Sequence, residues 1–233
     1  MKKLIIWDFD GVISDTEKLW VTSRMDLLNR DLHLDWDFDT AMKYLGGRSD
    51  KDKRKVLYDL GFDVKDDLWE EAIKIDMIRL SEGLSLTEGV ENIFKMSTFE
   101  QCIATGGTSY KTAEKIRQVG VGNYFPSQKV FTADLVKYGK PEPDIFLLAA
   151  ETLRFDPVNC IVIEDSIAGL TAALRANMFP IAFVKYNKSD YINEIKELGI
   201  KKCKLGKLKA FFQCQIKFLQ VATYRLMPKS GKE

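Results

Sequence analysis

Leu4-Ile5-Ile6-Trp7-Asp8-Phe9-Asp10-Gly11-Val12 is an apolar run that empties into two carboxylates one residue apart. The apolar part reads as a buried strand. Acids at the end of such a strand are costly, because desolvated carboxylates repel each other unless something neutralises them. A divalent cation does so, and a site for an anionic substrate needs one for the same reason. Side chains i and i+2 of an extended chain share a side, so Asp8 and Asp10 can reach one ligand. Gly11 permits a sharp turn that brings backbone N–H groups toward an anion. The competing reading is a strand that ends in a solvated acidic turn, and the rest of the chain decides between them.

Three later segments have the same character. Cys102-Ile103-Ala104-Thr105-Gly106-Gly107 runs from apolar residues into a hydroxyl and two glycines. Gly139-Lys140-Pro141-Glu142-Pro143-Asp144 fixes a lysine ahead of a proline-bounded helix start. Ile161-Val162-Ile163-Glu164-Asp165-Ser166 is another buried-looking strand ending in two acids. The pattern predicts strands at 4–7, 101–105, 129–132, 160–164 and 180–184, with helices at 88–96, 110–118, 144–153, 169–176 and 190–198. This alternation means right-handed crossovers and a parallel sheet covered on both faces, an α/β fold. Residues 8, 10, 105, 164 and 165 all fall at strand C-terminal ends, where open α/β sheets bind ligands.

With the four segments present in order, the chain resembles the haloacid dehalogenase superfamily of phosphotransferases, in the branch of beta-phosphoglucomutase and small-metabolite phosphatases. The resemblance covers roughly residues 1–200. It implies a Rossmann-like core with the first and fourth strands as neighbours at the sheet centre. Residues 17–83 interrupt the alternation and read as helices at 17–30, 37–45, 50–60 and 67–81, with Leu68, Ala72, Ile75, Ile78 and Leu80 as an approximate stripe in the last. An all-helical insertion there looks like the family's small cap. The expected organisation is a core of 1–16 and 84–210, an α-helical cap of 17–83 and a basic tail of 211–233.

The resemblance also implies roles. Asp8 is the nucleophile that takes the phosphoryl group, and Asp10 protonates the leaving alkoxide and then activates water. Mg2+ is held by Asp8, the Asp10 backbone carbonyl and Asp165, with Glu164 in reach. Thr105 and the Gly106 N–H face the transferring oxygens, Gly107 relieves crowding, and Lys140 supplies a fixed charge. Read without the family, the paired glycines also fit a plain turn, and Lys140 fits an exposed residue before a helix. In the cap, Gly46-Gly47-Arg48-Ser49-Asp50-Lys51 sits where the family contacts substrate. Arg48 there either grips a second phosphate or carboxylate or lies in solvent. Trp20 stands where beta-phosphoglucomutase carries a histidine important for mutase control, which favours a hydrolase over a phosphomutase. A dehalogenase is disfavoured because it lacks the aspartate that Asp10 supplies. A phosphonate hydrolase normally lacks it too, and a non-catalytic binding protein would have no need to keep the full set.

Composition narrows the remaining classes. The 233 residues are 45% hydrophobic and 30% charged with net charge +1, which gives no drive toward nucleic acid or membrane. Residues 201–233 carry nine basic side chains against one acid, leaving 26 basic and 33 acidic in the rest. That stretch reads as a basic arm for an anionic partner or as a terminal helix with solvated lysines. Cys102, Cys160, Cys203 and Cys214 lack metal-site spacing, and two lie in predicted core strands, so free thiols and a cytoplasmic setting are expected. His33, the one histidine, is expected at a helix end. Lys2-Lys3 before an apolar run imitates a signal peptide, but Asp8 ends the run early. The expected partner is a small phosphorylated metabolite, bound by a monomer.

Overall fold

β1 (Leu4–Trp7) is buried along its whole length, and its alternate residues go to opposite sides of a sheet. Ile5 and Trp7 join Phe9, Ile103 and Ile163 on one face, while Leu4 and Ile6 join Cys102, Val162 and Phe146 on the other. A strand apolar on both faces has no solvent side, so it belongs at the centre of a covered parallel sheet. The computed structural model describes residues 3–46, 50–95, 99–184 and 189–204, without the side chains of 51, 52, 189, 190 and 201–204.

Six strands form the sheet: β1, β2 (Glu100–Thr105), β3 (Val130–Thr132), β4 (Cys160–Glu164), β5 (Phe179–Val184) and β6 (Lys201–Lys204). Their order is β3-β2-β1-β4-β5-β6, with every pairing parallel. Leu4 lies opposite both Glu100 and Cys160, so β1 and β4 meet at the point where the strand order reverses. Five strands match expectation to within a residue at each end. The sixth was not expected: Lys201–Lys204 lies within the expected core but opens the basic stretch 201–233, and it pairs with β5 at the sheet edge. Lysines are common on edge strands, where they discourage further pairing, so a charged edge strand resembles a tail in sequence.

Four helices lie between β1 and β2 and gather around an apolar cluster of their own. α1 (Thr16–Leu32), α2 (Phe38–Leu45), α3 (Asp50–Asp59) and α4 (Asp66–Ser81) enclose Val21, Leu28, Leu45, Leu57, Trp69 and Ala72. The Asp37 carboxylate accepts from Thr40 N at 2.8 Å and starts α2, while His33 ends α1 in the left-handed region, the helix-end position expected for it. Ile78 departs from the predicted stripe at 59% exposed, because at about 100° per residue it falls nearly opposite the face that buries Trp69, Ala72, Asp76 and Leu80. The insert leaves and rejoins the sheet at one place. Ser14 bridges Leu86, its hydroxyl donates to Ser85 O at 2.9 Å, and Thr87 N donates to Ile13 O at 2.8 Å.

α5 (Val90–Phe94) and α6 (Ser109–Val119) cover one face of the sheet, and α7 (Asp144–Thr152) and α8 (Ile167–Arg175) cover the other. α9 (Ser189–Glu197) packs Ile195 against β5. Cys102 and Cys160 are buried free thiols, as expected, and burial pushes both thiol pKa values up. Among the described residues, no helix is long and apolar enough to cross a membrane.

Candidate active site

A cleft of about 240 Å³ opens at the C-terminal ends of β1, β2 and β4, between the sheet and the helical insert. Asp8, Asp10, Thr105, Gly106, Lys140, Glu164 and Asp165 line its sheet side, with Trp20 on the insert side. A larger depression of about 410 Å³ by Glu100, Arg154, Asp156 and Asn159 lies at the opposite strand ends and gathers none of these groups.

Asp8 prolongs β1, its N–H donating to Ile163 O at 2.9 Å, which points the chain directly into the cleft. The Lys140 ammonium donates to Asp8 Oδ1 at 2.6 Å, Glu164 Oε2 at 3.1 Å and Ala104 O at 3.2 Å. The other Glu164 oxygen, Oε1, accepts from Ser166 N at 3.1 Å and Ser166 Oγ at 2.6 Å. Ser166 Oγ in turn caps α8 by accepting from Gly169 N at 3.0 Å. Asp8, Glu164 and Asp165 each bring a carboxylate oxygen within 4.8 Å of the others.

Two glycines make room for this crowd. Gly11 has φ +79°, and a Cβ on it would lie 1.8 Å from Asp165 Oδ2. A Cβ on Gly169 would lie 2.2 Å from Glu164 Cδ. Neither collision is relieved without moving a carboxylate of the cluster.

The electrostatics are unbalanced. Burial pushes the Asp8 carboxyl up to about 8, with the Glu164 charge adding and the Lys140 ammonium opposing. Burial, then Glu164 and Asp8, hold the Asp165 carboxyl well above the usual range. Burial disfavours the Lys140 ammonium, but Asp8 and Glu164 outweigh it and raise its pKa above the ordinary lysine value. Three carboxylates against one ammonium, all oxygen donors, suit a hard divalent cation such as Mg2+.

Asp10 lines the same cleft, but its carboxylate is held by a different set of donors. Lys115 Nζ donates to Asp10 Oδ1 at 2.6 Å and Oδ2 at 2.8 Å, and Thr16 Oγ1 donates to Oδ1 at 2.5 Å. Neither donor was singled out from sequence. Thr16 follows the acidic motif closely, whereas Lys115 sits among other charged residues of α6 with nothing to mark it. Glu17 and Lys53 of the insert also line the cleft unforeseen. Gly107 stands behind it, its N–H donating to Thr105 Oγ1 at 3.2 Å and its carbonyl accepting from Ala133 N at 3.0 Å. Arg48 and residues 211–233 lie outside the described residues.

The family profile described as haloacid dehalogenase-like hydrolase matches residues 5–183. The chain belongs to that family. Among curated relatives, the CBBY-like protein of Arabidopsis thaliana is 29% identical over 75% of this chain and 60% of its own length. This chain thus spans less than two thirds of that relative. The phosphorylated carbohydrates phosphatase of Thermotoga maritima is 28% identical over 80% of this chain and 87% of its own. Among solved structures, a haloacid dehalogenase-like protein of unknown function from Agrobacterium tumefaciens superposes with TM-score 0.83 at 24% identity, covering 93% of this chain and all (100%) of that one. That likeness carries the fold.

Proposed function

We propose that this haloacid dehalogenase-like hydrolase is a magnesium-dependent phosphatase of small phosphomonoesters, sugar or sugar-acid phosphates, acting through an aspartyl phosphate on Asp8. The observation that carries the reading is Asp8 beside Lys140 in an acid cluster with surplus negative charge, facing Thr105 in a cleft. The relative from Thermotoga maritima, named as a phosphatase of phosphorylated carbohydrates, supports the substrate class.

Asp8, Asp165 and the Asp10 backbone carbonyl would hold the cation, with Glu164 in reach. Bound there, it supplies neutralisation of the carboxylates and of the incoming dianion. Lys140 steadies Asp8 and offers its charge to the phosphoryl group, while Thr105 and the Gly106 N–H meet the equatorial oxygens. Asp8 attacks phosphorus, and Asp10 protonates the departing alkoxide and then takes a proton from the water that frees Asp8. The helices of 17–83 act as a cap that excludes bulk water and reads the rest of the substrate.

Free-phosphate release from a panel of sugar and sugar-acid phosphates, with magnesium or with EDTA, tests the reading. Magnesium-dependent release from one class is expected, and no release from any ester would overturn it. Product analysis with a sugar bisphosphate primer separates hydrolysis from a phosphomutase, which would return isomerised sugar phosphate in place of free phosphate.

A further inference from the structure

Lys115 has no place in the chemistry above, yet it is 3% exposed and lies against the acid assigned to proton transfer. Its ammonium sits 5.6 Å from the Phe9 ring and 5.7 Å from the Trp20 ring, which keep it dry. It does not line the cleft, so substrate cannot use it as a counter-charge. Resting on the reading of Asp10 as the acid–base group, we propose that Lys115 is a positioning residue for Asp10 and makes Oδ2 its proton-carrying atom.

The argument is a count of lone pairs. A carboxylate offers about four lone-pair positions. Lys115 takes one on each oxygen, and Thr16 takes a second on Oδ1. One position stays open, on Oδ2, in a residue that lines the cleft and whose side chain is 32% exposed. As the Asp8–phosphorus bond forms and the ester bond breaks, the electron pair of the broken bond stays on the leaving oxygen. That oxygen takes the Oδ2 proton. In the second displacement the attacking water returns a proton to the same atom. Without Lys115 only Thr16 holds the carboxyl, through one oxygen, and the proton no longer points at one place.

Phenyl phosphate and 2,4-dinitrophenyl phosphate test this on the full chain with magnesium. Neither has a sugar for the cap to read, and only phenolate needs a proton to depart well. For Lys115→Met, kcat/KM on phenyl phosphate should fall about ten- to a hundredfold, with less than about threefold change on the dinitrophenyl ester. Lys115→Arg, which keeps a cation, should recover part of the phenyl ester loss. Equal losses on both esters, or no loss on phenyl phosphate, would overturn the proposal. If Lys115→Met shows no cooperative melt, Thr16→Val carries the same readout with the same overturning results. Wild-type protein inactive on both esters would overturn the phosphatase reading instead.

Discussion

Two groups of charges, one at the C-terminal ends of β1 and β4 and one in the helical insert, are balanced differently. In the insert Arg24 is 3% exposed, pairs with Asp76 and lies 3.6 Å from Asp50, which also takes Lys53 at 3.3 Å. The Arg24 guanidinium further stacks 5.7 Å from the Trp69 ring. Two cations there face two acids. At the C-terminal ends of β1 and β4, Lys140 pairs with Asp8 and Glu164, and Asp165 beside them adds a third acid with no further cation among the described ion pairs. A balanced group is finished by folding, and removing one member leaves another buried and uncompensated. An unbalanced group is finished only by what binds to it, so it costs stability in the free protein and serves chemistry.

The strongest break of this comparison is Asp8→Asn, which keeps the side-chain volume and removes the nucleophile. Turnover should fall by about 10⁴-fold or more. In EDTA the same change should raise Tm, since the buried amide is neutral without the proton that Asp8 must take up on folding. The sign follows from linkage. Asp8 is pushed up to about 8 in the fold, so the native state binds a proton that the unfolded chain releases near its ordinary value. Stability of the metal-free protein should therefore fall as pH rises from the carboxylate range through about 8. Asp8→Asn should flatten that slope in a series of thermal melts. An unchanged slope would mean that another group carries it.

Arg24→Met should act in the opposite direction on stability. Left unpaired, Asp76 makes the change cost about 3–5 kcal/mol, read as a lower denaturant midpoint. Adding Asp76→Leu should recover much of it, because a paired removal leaves no orphaned charge. If the single change were harmless, the insert cluster would not be the balanced, structural one.

Magnesium should separate the two groups next. At about a hundredfold excess over its Kd a ligand adds roughly 2.7 kcal/mol of stability. The wild type and Arg24→Met should both gain in Tm on adding magnesium, and Asp165→Ala should not. A gain in Asp165→Ala equal to wild type would remove Asp165 from the metal set.

The smallest effect is expected at Ile78, on the outer face of α4. At 59% exposed, its replacement by Thr should change stability by no more than about 0.5 kcal/mol. A larger loss would mean that the insert depends on this outer face as well as on Arg24.

The sheet and the acidic ends of its central strands were legible because their signals are local. Apolar strand, acid and glycine follow one another within a few residues at 4–12 and 161–166. The contacts that tune the site were hidden because their signal is not local. Lys115 looks like Lys111 or Arg117 on the same helix, and only the packing of α6 against Phe9 turns it inward. Lys53 reads as one more charge in a run from Asp50 to Lys55, yet burial lowers its pKa and it reaches the cleft. β6 was missed because an edge strand takes its definition from β5, which its own four residues do not contain.

The crossing at Ser14 and Leu86 has a mechanical consequence. Because the insert's two ends are already side by side, closing it off leaves the sheet's pairing undisturbed, and its length can vary at little entropic cost. The insert hangs from two adjacent backbone struts, as a door hangs from a pair of hinge pins. Such a mounting permits swing about the line through the struts and resists twist around any other axis. A movement about that line would shift Trp20 and Lys53 relative to the cleft and leave Asp8, which prolongs β1, in place. The same mounting makes the insert an exchangeable part: another folded segment whose ends meet at the same spacing would fit the same two struts.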